Sequence, residues 1–347
     1  MEEVNGRQYI SVTEIARFYR LEAQQPSPDS PSRRRFANGK HALELAPGRR
    51  AIEVNGVLHW LSFPVLQRGG GLLITRLDLV KTVEPALRPR FIPGLAPVET
   101  IVLDPGHGGH DLGATSSYGY EKDFALDVAK HVRDILRQQG KIVIMTRDDD
   151  TFVELIDRAK IANRASSAIF VSIHFNATRF NDEANGFEVF CLSPQGGPST
   201  MDQGYQARFA QTHPGNAYDN ASLALSTAIY HSILAHMNRR DRGVKRQRFA
   251  VLKHARMPSC LIECGFLNGR RESRVVATSK WRERLAHAIA RGINAYVELA
   301  ETREPLRVLS DYTGASEATF EQVDGQLTLQ PNTPQVIVPG GQREPGE

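Results

Sequence analysis

Two histidines and two glutamates sit where a fold could use them together. His107 follows the apolar run Ile101-Val102-Leu103 and lies among Gly106, Gly108 and Gly109 in "IVLDPGHGG". Glycines beside a functional side chain let backbone or ligand approach closely. His174 closes the apolar stretch "AIFVSIH", and Glu263 lies inside "PSCLIECGF". A carboxylate in so apolar a run needs a pair, a metal or a proton. Glu121 stands just ahead of an amphipathic helical segment. Two imidazoles and two carboxylates suit a hydrolytic metal centre: three protein ligands of the His2Glu type leave one position for water. The remaining carboxylate serves as general base or acid. Each residue has a plainer reading. Taken singly, His107 also reads as a loop histidine, His174 as a core histidine, and Glu121 as an acid favouring a helix N-terminus through the dipole. Four such coincidences are harder to accept than one shared site. On the residues alone, which carboxylate binds the metal stays open. His110 is a decoy three residues past His107, and His213, His231, His236, His254 and His287 have no acid partners in their segments.

The elements that would position these residues alternate. "TIVLD", "KIVIMTR", "AIFVSIH", "GFEVFCL" and "PSCLIECGF" read as strands. "KDFALDVAKHVRDILRQQG" reads as a helix, with Phe124, Val128, Val132, Ile135 and Leu136 on one face and Gly140 ending it. Further helical patterns cover "VELIDRAKIANRA", "ASLALSTAIYHSILAHM" and "WRERLAHAIARGINAYVELA". The alternation predicts an α/β domain over residues 100–302, with a central, mostly parallel sheet and helices on both faces. In such sheets, sites gather at the carboxyl ends of the strands, where His107, His174 and Glu263 fall.

Residues 1–87 read as a separate, small α+β module. "GRQYISVTEIA" from Gly6 repeats as "GGLLITRLDLV" from Gly70. Each copy predicts a strand followed by a helix capped by Ser11 or Thr75, with Glu14 or Asp78 completing a capping box. Between them, turn signals at Pro47-Gly48 and Asn55-Gly56 predict hairpins. Residues 88–99, with three prolines, form a linker, and 303–347 read as a mobile Pro/Gly-rich tail. The 347-residue chain is 41% hydrophobic and 24% charged, which is ordinary globular composition. Its pI near 9.0 mildly favours an anionic partner such as a wall polymer. No run approaches a membrane span. "MEEVNGRQYI" lacks the basic start and apolar core of a signal peptide. Cys260 and Cys264, four residues apart in a strand, would lie about 13 Å from each other. A disulfide needs Cα atoms within about 7 Å, so they should not pair. Together with Cys191 they read as small buried hydrophobes.

The motifs "VLDPGHGG", "YEKD", "IMTRDDDTFVELIDRAKIAN", "VSIHFNA" and "VLKHARMPSCLIECGFLN" resemble, in order and spacing, the zinc-dependent N-acetylmuramoyl-L-alanine amidases. The resemblance runs through most of residues 100–300. It implies a peptidoglycan hydrolase that cleaves the amide between N-acetylmuramic acid and L-alanine, with His107, Glu121 and His174 binding zinc and Glu263 as acid/base. Asn176 is a candidate for orienting substrate, and Arg147 and Arg158 are expected to brace helix to strand. Phe175 after His174, and Cys264 after Glu263, depart mildly from the family pattern. The repeat region resembles the amino-terminal domain first described in copper amine oxidases, which implies wall or activator binding and no copper site. A cell-envelope location follows if a signal peptide is missing or already removed. The residues also admit a zinc peptidase acting on another amide, or a wall-binding protein with an inactive amidase-like domain. The connection 192–219 is expected to form a lid or gripping loop at the zinc, the alternative being a surface insertion remote from it.

Overall fold

Alternate residues along the strands bury themselves in two different places. Ile101, Leu103, Ile169, Val171 and Ile173 join one apolar cluster, while Val102, Phe170 and Leu261 join another. A strand sends successive side chains to opposite faces, so a strand apolar on both needs cover on both. Val128, Val132 and Leu136 of the helix Glu121–Gln138 cover the first face, with the helices Asp219–His236 and Ser279–Thr302. Ala162, Val251 and Leu252, from the helices Leu155–Ala162 and Ala250–His254, cover the second. The computed structural model describes all residues except 27, 29, 179–182, 203–205, 303–318, 324–325 and 331–347.

The central strands run in the order Ile142–Met145, Thr100–Pro105, Ala168–Asn176, Ser259–Phe266, and these four are parallel. His107, His174 and Glu263 therefore arrive at one end of the sheet. Phe187–Leu192 comes next and is antiparallel to Ser259–Phe266, with Glu188 opposite Glu263 and Phe190 opposite Leu261. That direction corrects the expectation for residues 192–219. The Phe187 strand enters beside Glu263 and leaves at the other end, so the connection emerges away from the histidines. There Arg50 donates to the carbonyls of Ser199, Thr200 and Asp202, and Phe209 is fully buried. The segment fastens the amino-terminal region to the sheet.

Asp241–Gln247, a strand that its charged sequence conceals, adds parallel to Phe187–Leu192. Val244 then pairs with His59 of Val57–Trp60, and the sheet runs on through an antiparallel meander to eleven strands. The Val57–Trp60 hairpin turns at Asn55-Gly56, both with positive φ (51° and 80°), as a tight two-residue turn requires. The repeat copies are neighbours: Arg7–Ser11 and Gly71–Thr75 pair antiparallel, with Ile10 opposite its equivalent Ile74. Neither capping box closes, because the Asp78 carboxylate accepts from the backbone N of Ser62 and Phe63 rather than of Thr75, but one helix keeps its cap. The Thr75 side chain accepts from the Asp78 backbone N at 3.0 Å, whereas Ser11 makes no side-chain cap bond. The prolines of 88–99 do not leave that stretch loose, because Ile92, Leu95 and Val98 are buried in the main cluster. Most of the expected tail lies outside the described residues; within it, Thr319–Val323 and Gln326–Gln330 pair as a hairpin. All three cysteines are free and buried.

Candidate active site

The chain stops being a strand at Pro105 and turns sharply. His107 takes φ +59°, a left-handed conformation unusual for a residue with a side chain, and Gly108, Gly109 and Gly113 follow with positive φ. The glycines are needed for space as well as for angle. A Cβ on Gly106 would lie 2.3 Å from the His174 ring, and one on Gly113 would lie 2.6 Å from both Glu121 Oε2 and His107 Cδ2. The loop then makes a two-residue-per-strand hairpin, Thr115–Ser116 with Gly119–Tyr120, and delivers Glu121 as the first residue of its helix.

His107, Glu121 and His174 converge. Glu121 Oε1 lies 3.0 Å from His107 Nε2 and 2.9 Å from His174 Nδ1, and the imidazole rings are 5.0 Å apart at 75°. One donor atom from each residue can be chosen so that all three lie within 4.8 Å of one another; among the described residues no other such His, Cys, Asp or Glu group occurs. Glu121 is buried, and its oxygens also accept from the backbone N of Phe175 at 3.0 Å and of Ala114 at 2.7 Å. Burial alone would raise its carboxyl pKa; the two imidazoles outweigh that and hold it below the ordinary range. His107 shows the reciprocal effect. Burial would lower it, but Glu121 and Asp111 push it up. The other ring nitrogen of His107, Nδ1, lies 2.8 Å from Asp111 Oδ2. A carboxylate behind a histidine sets its tautomer and orientation for metal binding. Asp111 is not among the residues expected at the site, although it stands four residues past His107 in the same glycine-rich loop.

Glu263 is directly opposite His174 on the neighbouring strand. Its Oε2 is shut from solvent and has no hydrogen-bond partner within the protein. Burial, then Glu121 and Glu188, raise its pKa well above the carboxylate range, with Lys245 opposing. Behind it, Glu188 pairs with Lys245 at 3.0 Å and with Arg242. A carboxyl opposite His174, with Oε2 buried and unpartnered, has the chemistry to exchange a proton. Asn176 ends the His174 strand, and its Oδ1 accepts from the Ala177 backbone N at 2.8 Å, which is the work of a turn residue. Phe175, the departure from the family pattern after His174, is buried and packs on Phe124, with ring centroids 6.1 Å apart. His110 stays outside the cluster, exposed beside Phe152. The donor set fits zinc, since two imidazoles and a carboxylate converge and the first imidazole is oriented from behind.

Residues 101–295 match the family model described as N-acetylmuramoyl-L-alanine amidase. N-acetylmuramoyl-L-alanine amidase AmiA of Escherichia coli K12 is 34% identical over 250 residues, covering 64% of this chain and 84% of that one. N-acetylmuramoyl-L-alanine amidase LytC of Bacillus subtilis is 34% identical over 198 residues, but the match spans only 35% of its length. The crystal structure of an N-acetylmuramoyl-L-alanine amidase from Clostridium difficile 630 is 32% identical over 58% of this chain and 98% of that one, with a TM-score of 0.49.

Proposed function

The chain belongs to the N-acetylmuramoyl-L-alanine amidase family, and on that premise we propose that it hydrolyses peptidoglycan between N-acetylmuramic acid and L-alanine with the help of zinc. The observation that carries the zinc reading is the convergence of His107, Glu121 and His174. Zinc held by these three would polarise the scissile carbonyl and lower the pKa of water at the open position.

The chain's own groups do the rest. Glu263 takes a proton from the attacking water and passes it to the nitrogen of the departing alanine. Its burial and missing hydrogen-bond partner suit that exchange, because both raise the carboxyl's affinity for a proton. Asp111 keeps His107 in one tautomer with Nε2 turned toward Glu121. Phe175, buried against Phe124, donates its backbone N–H to Glu121 and helps to fix that carboxylate.

The same reading gives residues 1–87 the role of a binding module, 88–99 that of its connection, and 100–302 that of the catalytic domain. The module holds the enzyme against the wall or an activating protein, and the whole acts in the cell envelope. Among the described residues no helix is long and apolar enough to cross a membrane. Digestion of purified peptidoglycan followed by mass analysis tests the reaction. It should release stem peptides with a free alanine amine and leave intact glycan strands. Products cut within the peptide or the glycan would refute it.

A further inference from the structure

Two of the most buried cations in the molecule end on a single turn. Arg147 and Arg158 are 4% and 2% exposed. A guanidinium is costly to bury unless its donors are met. Arg158 donates from Nη1 to the Pro105 carbonyl at 2.5 Å and from Nη2 to the His107 carbonyl at 2.6 Å. Arg147 donates from Nε to the Pro105 carbonyl at 3.1 Å and from Nη2 to the Gly106 carbonyl at 2.6 Å. The successive carbonyls of 105, 106 and 107 thus all face these two cations. Arg147 Nη2 also reaches the carbonyl of Lys122, next to Glu121, at 2.8 Å. Arg158 is itself anchored by Asp104 Oδ1 at 2.9 Å, and Asp104 accepts from the hydroxyls of Thr146 and Ser172.

This turn has to be held. His107 sits at φ +59°, a strained conformation for a residue with a side chain, and it is followed by two glycines that add no stiffness. Its Nδ1 contact with Asp111 orients the ring but lies within the same loop. The bonds that tie the turn's carbonyls to other elements come from Arg147, just past the strand Ile142–Met145, and Arg158, on the helix Leu155–Ala162.

We propose that Arg147 and Arg158 are positioning residues for the metal. They clamp the 105–107 turn in the shape that aims His107 at Glu121 and His174, and Arg147 also fastens that turn to the first turn of the Glu121 helix. The separation of two ligands is thereby set from beneath. The inference rests on the reading of His107, Glu121 and His174 as zinc ligands.

Arg147 is the cleaner one to change, because its hydrogen-bond partners are all carbonyls and no ion-paired carboxylate is stranded. Zinc affinity of the full chain is measured by competition with a chromophoric chelator, and ligand geometry by the visible absorption of the cobalt-substituted protein. Arg147→Met should bind zinc about 10- to 100-fold more weakly, with altered cobalt bands. Arg147→Lys should recover only part, because one ammonium cannot replace a fork that spans the carbonyls of Pro105, Gly106, Lys122 and Asp149. It also supplies the measurement should Arg147→Met not fold. Arg246→Met is the control. That guanidinium is equally buried but donates to the carbonyls of Leu192 and Lys81 at the far end of the sheet. It should lower the melting temperature and leave zinc affinity unchanged. The clamp is overturned if the Arg147 variants bind zinc as tightly as the parent with the same cobalt spectrum, or if Arg246→Met weakens zinc equally. A parent protein that binds no zinc overturns the ligand reading itself, and the clamp with it.

Discussion

His174 and Glu263 face each other across adjacent parallel strands, one residue from the point where the register breaks between His174 and Asn176. A strand pair is a rigid mount, and it holds the proposed acid/base beside a proposed ligand without relying on a loop. Glu263→Gln keeps the shape and removes the titrating group. Zinc content should stay at the parent level while turnover falls at least about 10²-fold. Loss of zinc in that variant would mean that Glu263 is a ligand.

Gly106→Ala should be far more damaging than its chemistry suggests. The added methyl would lie 2.3 Å from His174 Cε1, so the ring must leave its place. Zinc, measured by elemental analysis, should be largely lost. Gly140→Ala is the contrast: Gly140 has a positive φ (+77°), which Gly106 does not, but nothing lies within 4 Å of a new Cβ. It should cost some thermal stability and no zinc. Full zinc occupancy in Gly106→Ala would show that the cluster tolerates displacement of His174.

His59 makes stability depend on pH. It is fully buried at the junction with the Asp241 strand, its Nδ1 2.9 Å from the Val57 carbonyl and its Nε2 3.1 Å from Thr227 Oγ1. Burial pushes its pKa down to about 4. In the unfolded chain the imidazole binds its proton near 6.5. Between about pH 6.5 and 4 the unfolded state therefore holds more protons. The stabilisation is complete above 6.5 and drains away as pH falls toward 4, by about 3 kcal/mol in all. Urea unfolding at stepped pH should show this slope, reduced in His59→Gln. His41, half-buried and likewise pushed down to about 4 by desolvation, accounts for a remaining part. An unchanged slope in His59→Gln would remove His59 from the account.

Residues 196–216 emerge at the end of the sheet away from the histidines. Replacing them with a short Gly-Ser linker should leave kcat and KM on a soluble muropeptide unchanged. It should lower the melting temperature, because the Arg50 and Arg248 contacts to Ser199, Thr200 and Gly197 are lost. Faster hydrolysis would restore the idea of an inhibitory lid, and a raised KM that of a gripping loop.

What the sequence revealed and what it hid have physical causes. Apolar runs that end on His107 or His174, or that enclose Glu263, mark strands by composition alone, and parallel order then gathers their ends. The antiparallel entry of Phe187–Leu192 is not encoded locally, because "GFEVFCL" fits either direction; the destination of the following connection went with it. "DRGVKRQ" does not look like a buried strand. It is one because Lys245 is paired with Glu188 and Arg246 with backbone carbonyls, and such tertiary partners carry no local signature. The union of the repeat region with the main sheet rests on the pairing of Val244 with His59, which neither segment announces.

The central claim is that one zinc ion on His107, Glu121 and His174 makes this chain an amidase. Metal-free protein titrated with zinc while hydrolysing purified peptidoglycan measures it directly, with newly exposed alanine amines as the readout. Amide cleavage should be absent before zinc, rise linearly and saturate at one equivalent. Cleavage at the full rate in the presence of excess chelator, or none at one equivalent of bound zinc, would contradict it.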